Sequence, residues 1–121
     1  GPLRVVKAFL PLLERGKQST VANISSEAGS IGTSQRGREF AYCMSKAALN
    51  MQSVLLQNAL HDRGIRVLAI HPGWIRTDMG GPRAPLDVAE AAVRVLGAIR
   101  EARDPADGPV FVDTQGHPMP Y

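Results

Sequence analysis

The sequence predicts an α/β fold of the three-layer Rossmann-like kind, with about three parallel strands and flanking helices. Three observations carry this. Apolar residues recur at helical spacing in three long segments, short runs rich in β-branched residues separate them, and the two kinds alternate along the chain. Strands that alternate with helices need right-handed crossovers, which make the sheet parallel and place helices on both of its faces.

The first helix is read from Pro2 to Leu13, where Val5, Val6, Phe9, Leu10 and Leu13 fall at helical spacing. Pro11 is expected to kink it and Gly16 to end it. Thr20 to Ser26, "TVANISS", reads as a buried strand entering a Ser/Gly-rich loop over 27–39. That loop is long for a plain connection, and such loops often border a functional site. A helix from Phe40 to Asp62 follows, with Ala47, Ala48, Met51, Val54, Leu55, Ala59 and Leu60 as its buried side and Gly64 as its stop. Ile65 to Ile70, "IRVLAI", is the second strand. Asp87 caps a third helix, with Glu90 three positions on as in a capping box. After the turn "DPADG", Pro109 to Val112 forms the last strand.

At 121 residues the chain is read as one domain. It is 44% hydrophobic and 21% charged, with no apolar run near the ~20 residues of a membrane span. The net charge of +3 is spread along the chain, and no basic run is interleaved with aromatics. That pattern is a solvated surface, and no nucleic-acid partner is expected. The single cysteine, Cys43, excludes an internal disulfide and fits a reducing, cytoplasmic setting; it is read as a packing residue. His61, His71 and His117 lack ligand-type spacing, so no metal is expected.

Ligands of open parallel sheets bind beyond the carboxyl ends of the strands. The segments there are "SSEAGSIG", "HPGWIRTDMGG" and "DTQGHPMPY". Nearby, Tyr42 and Lys46 stand four apart at the start of a helix, so both project from one face. An ammonium about 5 Å from a phenol, at an effective dielectric of about 20, favours the phenolate by roughly 3 kcal/mol. The pair can then donate and accept a proton, while Ser25 or Ser26 holds a substrate oxygen, as carbonyl reduction requires. Each feature also has an ordinary reading. Tyr and Lys meet at this spacing by chance, strand-end serines form turns and caps, and Trp74 either lines a pocket or packs.

Taken together and in order, "VANISSEAG", "YCMSK" and "IRVLAIHPGWIRTDM" resemble the short-chain dehydrogenase/reductase family over essentially the whole chain. "AYCMSKAALNM", "HPGWIRTDMGGPRAPLD" and "GPVFVDTQGHPMPY" look most like its C-factor and sniffer-type carbonyl reductase branch. The resemblance implies Tyr42 as the acid/base, Lys46 as its activator and the holder of the nicotinamide ribose, and Ser26 as the residue that orients the carbonyl. Ser25 stays open as an alternative to Ser26. Pro72, Gly73 and the backbone of Ile75 would face the carboxamide, and Thr77 would reach it or the pyrophosphate. The cofactor is NAD or NADP and the substrate a small carbonyl or alcohol.

The family's glycine-rich phosphate loop does not occur in these residues; "GSIG" follows the wrong strand. The chain is therefore expected to be the carboxyl-terminal part of one such domain, with dinucleotide binding impaired and little or no activity in isolation. The resemblance also implies a homo-oligomer formed through the helices around 2–15 and 40–62. A non-catalytic regulatory or C-factor-like signalling protein on the same scaffold is the alternative.

Overall fold

The computed structural model describes residues 1–102 and 110–121. Its elements are α1 (Pro2–Arg15), β1 (Ser19–Ile24), α2 (Phe40–Leu60), β2 (Ile65–Ile70), α3 (Val88–Glu101) and β3 (Phe111–Val112). The sheet is parallel, in the order β1-β2-β3. Ser19 pairs with Ile65 and Ile24 with Ile70, and Ala69 and Ile70 pair with Phe111 and Val112. The expected α/β architecture is present. The last strand is shorter than read, and Pro109 and the "DPADG" turn lie outside the described residues.

β2 runs through the centre, and each of its residues is buried. Ile65 and Val67 pack with Val6 and Leu60 under α1 and α2, while Leu68 and Ile70 pack with Ala98 and Val112 under α3. A strand covered on both faces has no solvent side, which is why "IRVLAI" is nearly continuously apolar. β1 has a strand neighbour on one side only and is half-buried over most of its length, not the fully buried strand expected.

The helix ends follow local chemistry. α1 stops at Gly16, and Pro11 is held inside it. α2 gives way to a turn of 3-10 helix, His61–Arg63, closed by Gly64 at φ 72° in the left-handed region that glycine tolerates. Asp87 caps α3 by accepting from the Glu90 backbone N–H at 2.7 Å. The reciprocal half of the capping box is absent, because the Glu90 carboxylate pairs with Arg94 instead, at 2.7 Å.

The buried side of α2 differs from the sequence expectation. Met51 and Leu55 are each 60% exposed and Ala48 and Ala59 also face out, whereas Asn50, Ser53, Gln57 and Leu60 are buried. The reason lies in the sheet beneath. β1 presents Asn23 and then Ser25 toward α2, and these buried polar groups need partners that apolar side chains cannot supply. Asn23 donates to Ser53 at 2.9 Å and Ser25 to Asn50 at 2.5 Å. Gln57 accepts from the backbone N–H of Val67 at 2.7 Å.

The carboxyl-terminal residues turn back after β3. Met119 N–H donates to the Phe111 carbonyl at 2.9 Å, and Gly32 N–H donates to that of Tyr121 at 2.7 Å. The 27–39 loop is thereby tied to the far end of the chain. Among the described residues, no helix is long and apolar enough to cross a membrane.

Candidate active site

The carboxyl ends of β1 and β2 open into a cleft of about 860 Å³. Its wall includes Ser25, Ser26, Tyr42, Lys46, Pro72, Gly73, Ile75 and Thr77, so the residues singled out in the sequence border one space. The sheet brings them there. Strand register sets the end of β1 level with the end of β2, and α2 starts above both.

The two serines are engaged differently. Ser25 Oγ is tied to the Asn50 amide oxygen, which consumes its hydroxyl proton. Ser26 Oγ accepts from the Ala28 backbone N–H at 3.1 Å, an arrangement that leaves its O–H to donate elsewhere. Neighbours on a strand project to opposite sides, and here the alternation persists to the strand end.

Lys46 Nζ lies 5.7 Å from the centroid of the Tyr42 ring. It donates to the Ile24 carbonyl at 2.8 Å, using one of its three protons and leaving two. Partial burial holds the Lys46 ammonium below its ordinary pKa.

The Pro72-Gly73 turn needs glycine. Gly73 adopts φ 89°, and a Cβ there would come within 2.8 Å of Leu86 Cδ1. Ile75 is fixed by a bridge to Leu86, and Thr77 Oγ1 accepts from Gly80 N–H at 3.1 Å. Trp74, 54% exposed, lines the cleft and is steadied by an indole N–H bond to the Gly80 carbonyl at 2.8 Å. Of its two readings, the pocket-lining one describes its position. Cys43 is half-buried, with Sγ 4.0 Å from the Arg38 carbonyl oxygen. Among the described residues, no group of three His, Cys, Asp or Glu side chains could hold a metal ion.

Several cleft residues escaped the sequence reading, among them Glu27, Arg36, Arg38, Glu39 and His71. Arg36 bridges Glu27, at 2.5 Å, and Glu39, which ties the two ends of the loop together at the cleft wall. His71 directly precedes the Pro-Gly turn, and that position was the available signal. Its Nδ1 accepts from the Glu27 backbone N–H at 3.3 Å, so the ring sits neutral against the loop.

Burial holds the His71 pKa below the ordinary 6.5, against the upward pull of Glu27 and Asp113. A lowered histidine pKa stabilises the fold fully above pH 6.5, and the contribution is lost as pH falls from there through the folded value. Urea melts should therefore show stability declining below pH 6.5, with His71→Asn flattening that decline. An unchanged slope in the variant would exclude His71 as its source.

Comparison with known proteins identifies the family. A family model described as short chain dehydrogenase matches residues 1–86. The C-signal of Myxococcus xanthus is 40% identical over 121 residues, covering 100% of this chain and 72% of that protein. Among solved structures, the carbonyl reductase Sniffer of D. melanogaster superposes with a TM-score of 0.89 at 33% identity, over 99% of this chain and 52% of that one. The NADPH-bound carbonyl reductase from chicken fatty liver gives a TM-score of 0.86 at 34% identity, again over 99% and 52%. The chain thus spans about half the length of these solved reductases.

Proposed function

The chain belongs to the short chain dehydrogenase family, and from that membership we propose that it serves an NAD(P)-dependent oxidoreductase acting on a small carbonyl or alcohol. The observation that carries the reading is the difference between the two serines. Ser26 keeps a hydroxyl proton free to donate to a carbonyl oxygen, at the end of the strand beside the Tyr42-Lys46 pair.

The residues present fit the nicotinamide end of a dinucleotide. Gly73 keeps one wall low, Lys46 has two donors to spare for ribose hydroxyls, and the cleft volume is that of ordinary ligand sites. When bound, the reduced dinucleotide supplies the hydride that reaches the carbonyl carbon. Ser26 then donates a hydrogen bond to the carbonyl oxygen, and Tyr42 gives that oxygen its phenolic proton as negative charge develops on it. The ammonium of Lys46 favours the phenolate left behind. Pro72, Gly73 and Ile75 present the carboxamide-facing wall, and Thr77 the edge toward the pyrophosphate.

These 121 residues contain no glycine-rich phosphate loop, so we propose that they alone bind the dinucleotide weakly and turn over little substrate. Calorimetric titration with NADPH and NADH should detect no tight binding, and a micromolar Kd would overturn this.

A homo-oligomer through the helices 2–15 and 40–62 is part of the same proposal. Val5, Phe9 and Leu12 of α1, and Phe40, Met44, Met51 and Leu55 of α2, are between 55% and 71% exposed. Apolar area of that extent is characteristic of a covered surface. Sedimentation equilibrium should return at least a dimer mass; a monomer at high concentration would refute it.

A second reading is favoured by one specific observation, the 40% identity to the C-signal over the whole chain. A signalling role on this scaffold would survive loss of Tyr42 and Ser26, whereas an enzymatic role would not.

A further inference from the structure

The polar side of α2 has an order that packing alone does not require. Tyr42, Lys46, Asn50, Ser53 and Gln57 recur every three or four residues and so form one stripe along the helix. From Lys46 onward each member bonds the sheet. Lys46 donates to the Ile24 carbonyl at 2.8 Å, Asn50 accepts from Ser25 at 2.5 Å, and Ser53 accepts from Asn23 at 2.9 Å. Gln57 accepts from Val67 N–H at 2.7 Å, and Val67 is level with Val21 of β1. From Asn50 on, as α2 advances its partners step back, from Ser25 to Asn23 to the level of Val21, so these bonds form a ladder between the helix and the sheet running antiparallel to it.

Apolar contacts tolerate small slides, but hydrogen bonds weaken steeply with distance and angle. Slipping α2 by one residue moves it about 1.5 Å along its axis and turns it by about 100°. No rung would survive that displacement. The Asn50 amide oxygen is partnered while its buried nitrogen is not. A buried polar group that finds a partner in only one register favours that register over others that similar apolar packing allows.

We propose that this ladder sets the register of α2 on β1, and that Asn50, acting through Ser25, is the positioning residue that holds the Tyr42-Lys46 pair opposite Ser26. Asn50 stands one helical turn beyond Lys46 and is 2% exposed. Its partner Ser25 directly precedes Ser26, and Ser25 N–H is itself anchored to the Ile70 carbonyl at 2.8 Å. One side chain therefore links the helix that carries the proton-handling pair to the strand end that carries the hydroxyl. The catalytic meaning rests on the acid/base reading of Tyr42 and Lys46, while the register does not.

The test needs no turnover, so its failure is separable from failure of the enzymatic reading. In the 121-residue chain with 13C-labelled lysine side chains, the Lys46 titration reports its burial and its bond to Ile24. Three variants are compared: Ser25→Ala, Asn50→Ala, and the double Ser25→Ala/Asn50→Leu. Replacing both partners by apolar groups should recover most of the thermal stability lost by Asn50→Ala. The Lys46 titration should nevertheless stay displaced upward in the double variant, toward its ordinary 10.5, as its burial is relieved. Nuclear Overhauser contacts between the Tyr42 ring and residue 26 should weaken with it. If the double variant restores both stability and the wild-type Lys46 titration, Asn50 only fills space and the proposal fails. Should the Asn50 variants not fold, Ser25→Ala decides alone, and an unmoved Lys46 titration there overturns the proposal.

Discussion

Tyr42→Phe should lower kcat for carbonyl reduction by about 10³-fold while leaving NADPH affinity within about twofold. The measurement needs a complete dinucleotide site. A chimera can supply it, joining residues 1–121 to the portion of the chicken carbonyl reductase that this chain does not cover. Hydride addition leaves negative charge on the carbonyl oxygen, and within the cleft the Tyr42 phenol is proposed as the group that neutralises it. Phenylalanine keeps the ring and its packing beside Lys46 but has no proton to give. A 10³-fold loss corresponds to about 4 kcal/mol of transition-state stabilisation. Ser26 cannot compensate, because a serine hydroxyl that donates a hydrogen bond is far too weak an acid to surrender its proton. Steady-state kinetics with calorimetry separate the two effects. Turnover within tenfold of the parent would remove Tyr42 from the chemistry.

Gly29→Ala should destabilise the fold by about 1–3 kcal/mol and disturb the site in the same step. A Cβ on Gly29 would stand 2.6 Å from the Lys46 carbonyl carbon, 2.8 Å from its oxygen and 2.9 Å from Ala47 N. These are backbone atoms of a helix and cannot rotate away, so relief requires moving the 3-10 turn Glu27–Gly29 off α2. That turn begins one residue after Ser26, and the helix segment it presses on carries Lys46. At roughly 4 °C per kcal/mol for a domain of this size, the upper end of the range lowers Tm by about 12 °C. Gly37→Ala is the control, since nothing lies within 4 Å of its added carbon. Equal melting temperatures for the two variants would disprove the close-approach argument.

Much of the fold was legible because its signals are local. Ile65 to Ile70 is a buried run closed by Gly64 and Pro72, and the Asp87 cap needs only its own first helical turn. The site was legible in part for the same reason. Tyr42 and Lys46 share a helix face by spacing, and the Pro72-Gly73 turn announces itself. The buried side of α2 was misread because two stripes run along that helix. Apolar content favours Met51 and Leu55 for the interior, and only the polar residues of β1 beneath reverse the choice. Glu27, Arg36 and His71 were missed because their relation to the cleft depends on how a long loop folds back over the strands.

The sequence by itself determined the element order, the parallel α/β class and the residue types gathered at the strand ends. Those follow from periodicity, caps and turns, which act within a few residues. Only the tertiary structure tied the Ser25 hydroxyl to Asn50 and the Ser26 oxygen to the Ala28 N–H, and turned the polar stripe of α2 inward. It also placed Gly29 against the backbone of Lys46. Each of these is a choice among locally equivalent options, settled by which buried polar group finds a partner and where two backbones meet.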